Sequence, residues 1–148
     1  MPTNHASAQQ IAWERACPAA ITGDVLWYLD AYRASMFLLH VSRADCRTLK
    51  AAYVNKDLID QLTKAAASIS AHLSEGYGRA TRADRLRFLG YALGSTRESI
   101  VWYAAQCEVL LQTDFDARLE LLARIRALLL GMIRSARDGG DGSTRLER

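Results

Sequence analysis

The sequence has little of what breaks, staples or spans a fold. Two prolines and nine glycines in 148 residues leave long stretches with no helix breaker. The three cysteines, Cys17, Cys46 and Cys107, lie far apart. Their number and spacing suit free thiols in a reducing compartment, and no pair has metal-ligand spacing. The longest apolar run, Ala127 to Ile133, is seven residues. A membrane span needs about twenty. The stretch Met1 to Gln10 is polar, without the basic start and apolar core of a secretory signal. These absences set the expectation of a cytoplasmic protein that has no membrane partner. Lysine is also scarce: 16 of the 19 cations are arginine, and the net charge is only +3. Arginine's planar fork suits phosphate and carboxylate, although a GC-rich genome would give the same bias.

What is there reads as helix. Half of the residues are apolar and 24% are charged, the balance of a globular domain. Periodicity divides the chain into an N-terminal extension (1–22), a bundle of four helices (23–137) and a tail (138–148) that is expected to be disordered. Ser7 to Ala16 can form a short helix in the extension. The first bundle helix is expected over Asp24 to Arg43, with Val25, Leu29, Tyr32, Met36 and Leu39 on one face. Asp45 to Asn55 can extend a helix or connect two. The second helix, starting before Leu58, carries Ile59, Leu62, Ala66, Ile69, Leu73 and Gly76. Gly76-Tyr77-Gly78 ends it, glycine being the usual left-handed stop.

Thr81 and Asp84 form a capping-box-like start for the third helix. A heptad stripe runs from Leu86 through Leu89, Leu93, Thr96, Ile100, Tyr103 and Cys107 to Leu110. Beside it lies a second stripe: Phe88, Ala92, Ser95, Ser99, Trp102, Gln106 and Val109. Two contact faces on one helix suggest that a neighbouring subunit covers one of them. Cys107 is expected as a buried thiol. Gly90 and Gly94 are either a close-packing site for another helix or merely tolerated. The fourth helix is expected from a Thr113–Asp116 cap to about Arg137, with Leu119, Leu122, Ile125, Leu129, Met132 and Ile133 inward. Short connections between long helices predict an all-α, antiparallel up-down four-helix bundle.

Catalytic chemistry finds no foothold. A di-metal bundle needs Glu-x-x-His motifs and paired carboxylates, and none of His5, His40 or His72 follows a glutamate at that spacing. No nucleophile–base constellation or phosphate-cradling glycine loop is present. The expectation is no enzyme activity, no catalytic residue, no metal and no cofactor. The densest charge lies at the turn between helices two and three, where Arg79, Arg82, Arg85 and Arg87 face one acid, Asp84. Tyr77 and Tyr91 flank them. Cations beside aromatics are one footprint of nucleic-acid binding. A solvated face paired with Glu75, Asp84 and Glu98 is the other reading.

This turn carries a family resemblance. Ser68-Ile69-Ser70-Ala71-His72-Leu73-Ser74-Glu75-Gly76-Tyr77-Gly78-Arg79 resembles the signature of four-helix-bundle proteins encoded in intervening sequences of bacterial 23S rRNA genes. That signature reads approximately Ser-Ile-Pro-x-Asn-Ile-Ala-Glu-Gly-x-Gly-Arg. Arg87-Phe88-Leu89 and Ala92-Leu93-Gly94-Ser95 are similar to the family's Arg-Phe-Leu and Ala-x-Gly-Ser. The likeness covers about residues 57 to 112. Ser70 stands where the family has proline, and His72 where it has asparagine.

The resemblance implies a bundle that assembles as a homopentamer. A related retroelement accessory protein forms a basic pentameric barrel that binds a reverse transcriptase and nucleic acid. RNA or DNA, and a protein such as a reverse transcriptase, are therefore the partners expected besides the chain itself. Ser68, His72 and Glu75 share a helix face, so Glu75 is expected to reach Arg79 or Arg97. Glu75, Gly76 and Gly78 are then structural, and the four arginines meet the partner.

Overall fold

A computed structural model of the chain describes residues 5–139. These residues form six α-helices, a short 3-10 helix and no strand. Helix α1 (Ala8–Ala16) starts where the sequence suggested, with the Ser7 side chain accepting from the Gln10 N–H. A short α2 (Ala19–Thr22) and the 3-10 helix Val25–Tyr28 lead into α3 (Asp30–Ala51). The first long helix therefore begins later and ends later than expected, taking up most of the ambiguous segment. Helix α4 (Lys56–Tyr77) opens on Asn55, whose side chain accepts from the Asp57 N–H. Helix α5 (Arg82–Ala104) opens on Thr81, which accepts from the Asp84 N–H and donates to the Asp84 carboxylate. Thr81 is therefore the expected cap, although the Asp84 carboxylate takes the Thr81 hydroxyl and not the backbone N–H that would complete a capping box. Helix α6 (Gln112–Asp138) has no side-chain cap, and Thr113 lies inside it, so the expected Thr113–Asp116 cap does not form. Residues 1–4 and 140–148, most of the expected tail, lie outside the described residues.

The long helices pack as sequence neighbours, α3 on α4, α4 on α5 and α5 on α6, and α3 also packs on α6. Helix α1 rests on α3. The α4 face is the one expected: Leu62, Ala66, Ile69, Leu73 and Gly76 are all buried. On α3 the inward face is different. It consists of Ala31, Ala34, Ser35, Phe37, Leu38, Val41, Ser42, Asp45 and Leu49. The expected stripe is half-buried from Leu29 to Leu39, and Val25 is exposed.

Both stripes of α5 are covered by this chain. Leu93, Thr96 and Tyr103 of one and Phe88, Ala92, Ser95 and Ser99 of the other are buried between α4 and α6. They therefore do not call for a neighbouring subunit. The helix is 23 residues long, about 35 Å at 1.5 Å per residue. It ends before Cys107, which is exposed in the following turn, and so the expectation of a buried thiol is corrected. Gly90 and Gly94 face open space, with nothing within 4 Å of an added Cβ. No helix among the described residues approaches them closely.

A buried polar knot ties three helices together. Asp45 on α3 accepts from Arg118 on α6 at 2.8 and 3.1 Å, and from the Tyr103 hydroxyl on α5 at 2.7 Å. The two-pronged arginine–carboxylate pair is the geometry that fixes orientation as well as distance. Burial and the neighbouring Asp45 carboxylate push the Tyr103 phenol well above its ordinary range. Burial opposes the charge of Arg118, and the Asp45 hydrogen bonds and charge outweigh it, raising it above its ordinary value. The knot sets the C-terminal half of α3 beside the start of α6.

Candidate nucleic-acid interface

The candidate surface surrounds the turn from α4 to α5. Helix α4 ends at Tyr77, and Gly78 follows in the right-handed region at φ −78°. No glycine among the described residues has a positive φ, so the expected left-handed glycine stop is absent. Gly76 has another reason to be glycine. A Cβ there would stand 2.6 Å from the Cβ of Phe88, so the missing side chain lets α5 close onto α4.

The four arginines are all exposed, and each has a contact within the chain. Arg79 pairs with Glu75 at 2.8 Å, and its guanidinium lies 4.7 Å from the centre of the Phe88 ring. Glu75 thus meets Arg79, one of its two expected partners. Arg82 donates to the backbone carbonyls of Ala136 and Arg137 at the end of α6. This places a cation on the unsatisfied carbonyls and negative dipole end of that helix. Arg85 donates to the Arg79 carbonyl at 3.2 Å, closing the turn. Arg87 pairs with Asp84 at 2.9 Å and lies 5.7 Å from the Phe88 ring centre. The cluster is therefore a built surface as well as a charged one. It brings in the last turn of α6, which carries Arg137, from more than 50 residues away. Sequence spacing gave no sign of that.

The remaining motif residues divide. Ser68 donates to the Lys64 carbonyl of its own helix at 2.7 Å. His72 is half-buried against Phe88 and Tyr91, with ring centres 6.2 and 5.5 Å away. Its Nδ1 is buried with no hydrogen-bond partner among the described residues. It borders an apolar cavity of about 90 Å³ formed with Leu29, Leu73, Leu89 and Met132. No hydrogen bond joins Ser68, His72 and Glu75 to one another among the described residues. Tyr77 and Tyr91 are both about half exposed. Among the described residues no group of three His, Cys, Asp or Glu is placed to hold a metal ion. None of the helices there is long and apolar enough to cross a membrane.

The fold and the turn have known counterparts. A solved structure from Bacteroides thetaiotaomicron, a protein of unknown function from the S23 ribosomal protein family, has a TM-score of 0.66 to this chain. The likeness spans 70% of this chain and 98% of that one at 18% identity, which shows a shared fold. No curated protein matches the chain. The family model of the 23S rRNA-intervening sequence protein matches residues 29–131, from the first residue before α3 into α6. That span is well over half of the sequence and includes the Glu75-Gly76-Tyr77-Gly78-Arg79 turn. The chain belongs to the 23S rRNA-intervening sequence protein family.

Proposed function

We propose that the protein is a non-enzymatic, cytoplasmic nucleic-acid-binding protein, RNA or DNA, acting through the arginines of the α4–α5 turn. In this reading its four long helices form an antiparallel up-down four-helix bundle that assembles as a homopentamer. One observation carries the reading: four exposed arginines within nine residues are held in place beside two half-exposed tyrosines. The Arg79–Glu75 and Arg87–Asp84 pairs are solvent-exposed. Exposed ion pairs contribute only about 0–1 kcal/mol, so a phosphate can replace either carboxylate at small cost. Tyr77 and Tyr91 offer faces on which bases stack. Fivefold assembly would repeat the cluster around a ring.

The test is RNA and DNA binding by the full chain across salt concentrations. Affinity should fall steeply as salt rises, because clustered cations release counterions. Arg82→Glu with Arg85→Glu should abolish binding. Those two side chains also hold the turn and the end of α6, so Arg87→Glu, which loses an exposed pair and a contact with the Phe88 ring but no bond to the backbone, is the cleaner variant and should weaken binding several-fold. Binding that is absent at low salt, or indifferent to all three changes, overturns the proposal. A monomer in light scattering overturns the assembly.

A protein-interaction scaffold, for example an accessory subunit of a reverse transcriptase, is the second reading. It is favoured by exposed Tyr53, Val101 and Leu111. All three sit near the end where α3 and α5 finish and α6 begins. Nuclease-resistant recovery of one protein at fixed stoichiometry, lost on Leu111→Asp, would support it over the first.

A further inference from the structure

The proposed nucleic-acid surface leaves the opposite end of α6 unexplained. There a cavity of about 380 Å³ lies between α1, α3 and the N-terminal half of α6. Volumes of this size hold small molecules in other proteins. Two arginines line it, and both are more than nine-tenths buried: Arg118 is 6% exposed and Arg124 is 7%. Their circumstances differ. Arg118 has the Asp45 carboxylate. Arg124 appears in none of the ion pairs among the described residues.

Among the described residues Arg124 has one hydrogen bond, from Nη1 to the neutral side-chain oxygen of Gln10 at 2.9 Å. Its Nε–H is buried and has no acceptor among the described residues. The nearest acid along that chain of contacts is Glu14, which accepts from Gln10 at 2.7 Å. Glu14 in turn lies 3.5 Å from the Arg33 guanidinium, so its charge is already faced by another cation. A guanidinium stays charged at any ordinary pH, and a buried charge is strongly disfavoured unless an opposite charge meets it.

The other walls suit the missing charge. Ser7, Gln9 and Gln10 bring the N-terminal turn of the nine-residue α1 to the cavity. Ser7 caps the Gln10 N–H, and no acidic side chain of that turn occupies the N–H groups that remain or the positive dipole end. Glu120 is the one acid in the lining, and it is solvent-exposed. Phe37, Leu121 and Ala117 add apolar surface.

We infer that this cavity is a binding site for a small organic anion, a carboxylate or phosphate compound, with Arg124 as its counter-ion. The guanidinium fork recognises both groups, the α1 N-terminus adds backbone donors, and the apolar wall takes the body of the molecule. Occupancy would clamp α1 against α6. The site stands apart from the arginines of the α4–α5 turn and does not depend on their binding nucleic acid.

The test uses the full chain with inorganic phosphate, malonate and sodium chloride as probes at matched ionic strength. In proton–nitrogen spectra the buried Arg124 Nε–H signal, assigned by its loss in Arg124→Lys, should shift saturably with phosphate or malonate and not with chloride. In parallel, the same anion should raise the melting temperature of the unaltered protein by a few degrees and leave Arg124→Met unmoved. A shift with phosphate alone assigns a phosphate compound, and one with malonate alone a carboxylate. Shifts that grow linearly and equally with all three salts, or no shift, overturn the inference. Should Arg124→Met fail to fold, the spectra of the unaltered protein decide.

Discussion

Gly76 and Phe88 set how closely α4 and α5 approach: a Cβ on Gly76 would stand 2.6 Å from the Cβ of Phe88. That atom is tied to the α5 backbone, and no change of rotamer moves it away. Gly76→Ala should therefore destabilise the protein by about 1–3 kcal/mol, the usual cost of overpacking. Gly78 is the control. It lies in the right-handed region, and the nearest atom to an added Cβ is 3.9 Å away. Gly78→Ala should be stabilising by about 0.4–1 kcal/mol, because it restricts the unfolded chain. Urea denaturation of the two variants checks the pair. Equal losses at both positions would mean that the turn, and not the helix contact, needs its glycines.

Asp45 meets a different kind of demand. It is buried, and it holds the charge of Arg118 and the hydroxyl of Tyr103. Asp45→Asn leaves a buried guanidinium with no counter-charge and should cost about 3–5 kcal/mol. Adding Arg118→Met removes that charge and should recover at least about 1 kcal/mol of the loss. A double variant less stable than Asp45→Asn alone would show that Arg118 contributes by packing and not through the pair.

The parts of this fold that can be read from sequence are those that repeat locally. The α4 face shows because large apolar residues recur every three or four positions between Asn55 and the glycine-flanked end. The α3 face is hidden, because its buried positions include Ala31, Ala34, Ser35 and Ser42, which carry little hydropathy. The α5 stop at Ala104 has no glycine or proline to announce it. Arg118 and Arg124 look like surface charges in a sequence, since their partners lie 73 and 114 residues away. The same holds for the candidate interface. Its four arginines stand out by local spacing, and the contribution of the α6 end does not.

Tyr103 makes the knot sensitive to alkali. Its phenol is neutral in the folded protein to well above the ordinary tyrosine range, because it is buried and donates to Asp45. The unfolded chain releases that proton at about pH 10. The contribution is therefore fully present below pH 10 and is lost as pH rises through the interval up to the folded value. Stability should fall there by about 1.4 kcal/mol per pH unit from this group. Tyr103→Phe should lower stability at pH 7 by about 1.5–3 kcal/mol through the lost hydrogen bond to a charged group. It should also flatten the decline between pH 10 and 11. Urea midpoints measured from pH 7 to 11 would show it, and parallel curves for the two proteins would sink the assignment.

Tyr53 ends α3 in a way that glycine would do better. Its N–H donates to the Lys50 carbonyl at 3.1 Å, and the Val54 N–H donates to the Leu49 carbonyl at 3.0 Å. Those two bonds form a Schellman stop, whose left-handed position is usually glycine. Tyr53 occupies it at φ 60°, the one non-glycine residue with a positive φ among the described residues. A side chain in that region costs roughly 1–2 kcal/mol. Glycine escapes the cost but loses more chain entropy on folding, about 0.5–1 kcal/mol. The ring itself is 94% exposed, so removing it forfeits little burial. Tyr53→Gly should then stabilise the protein by about 0.5–1 kcal/mol in urea denaturation. An exposed aromatic kept at a strained position points to a use outside the fold. If Tyr53→Gly is more stable and loses a protein or nucleic-acid partner, the tyrosine belongs to that interface. If it is less stable, the stop is not strained and the argument fails at its first step.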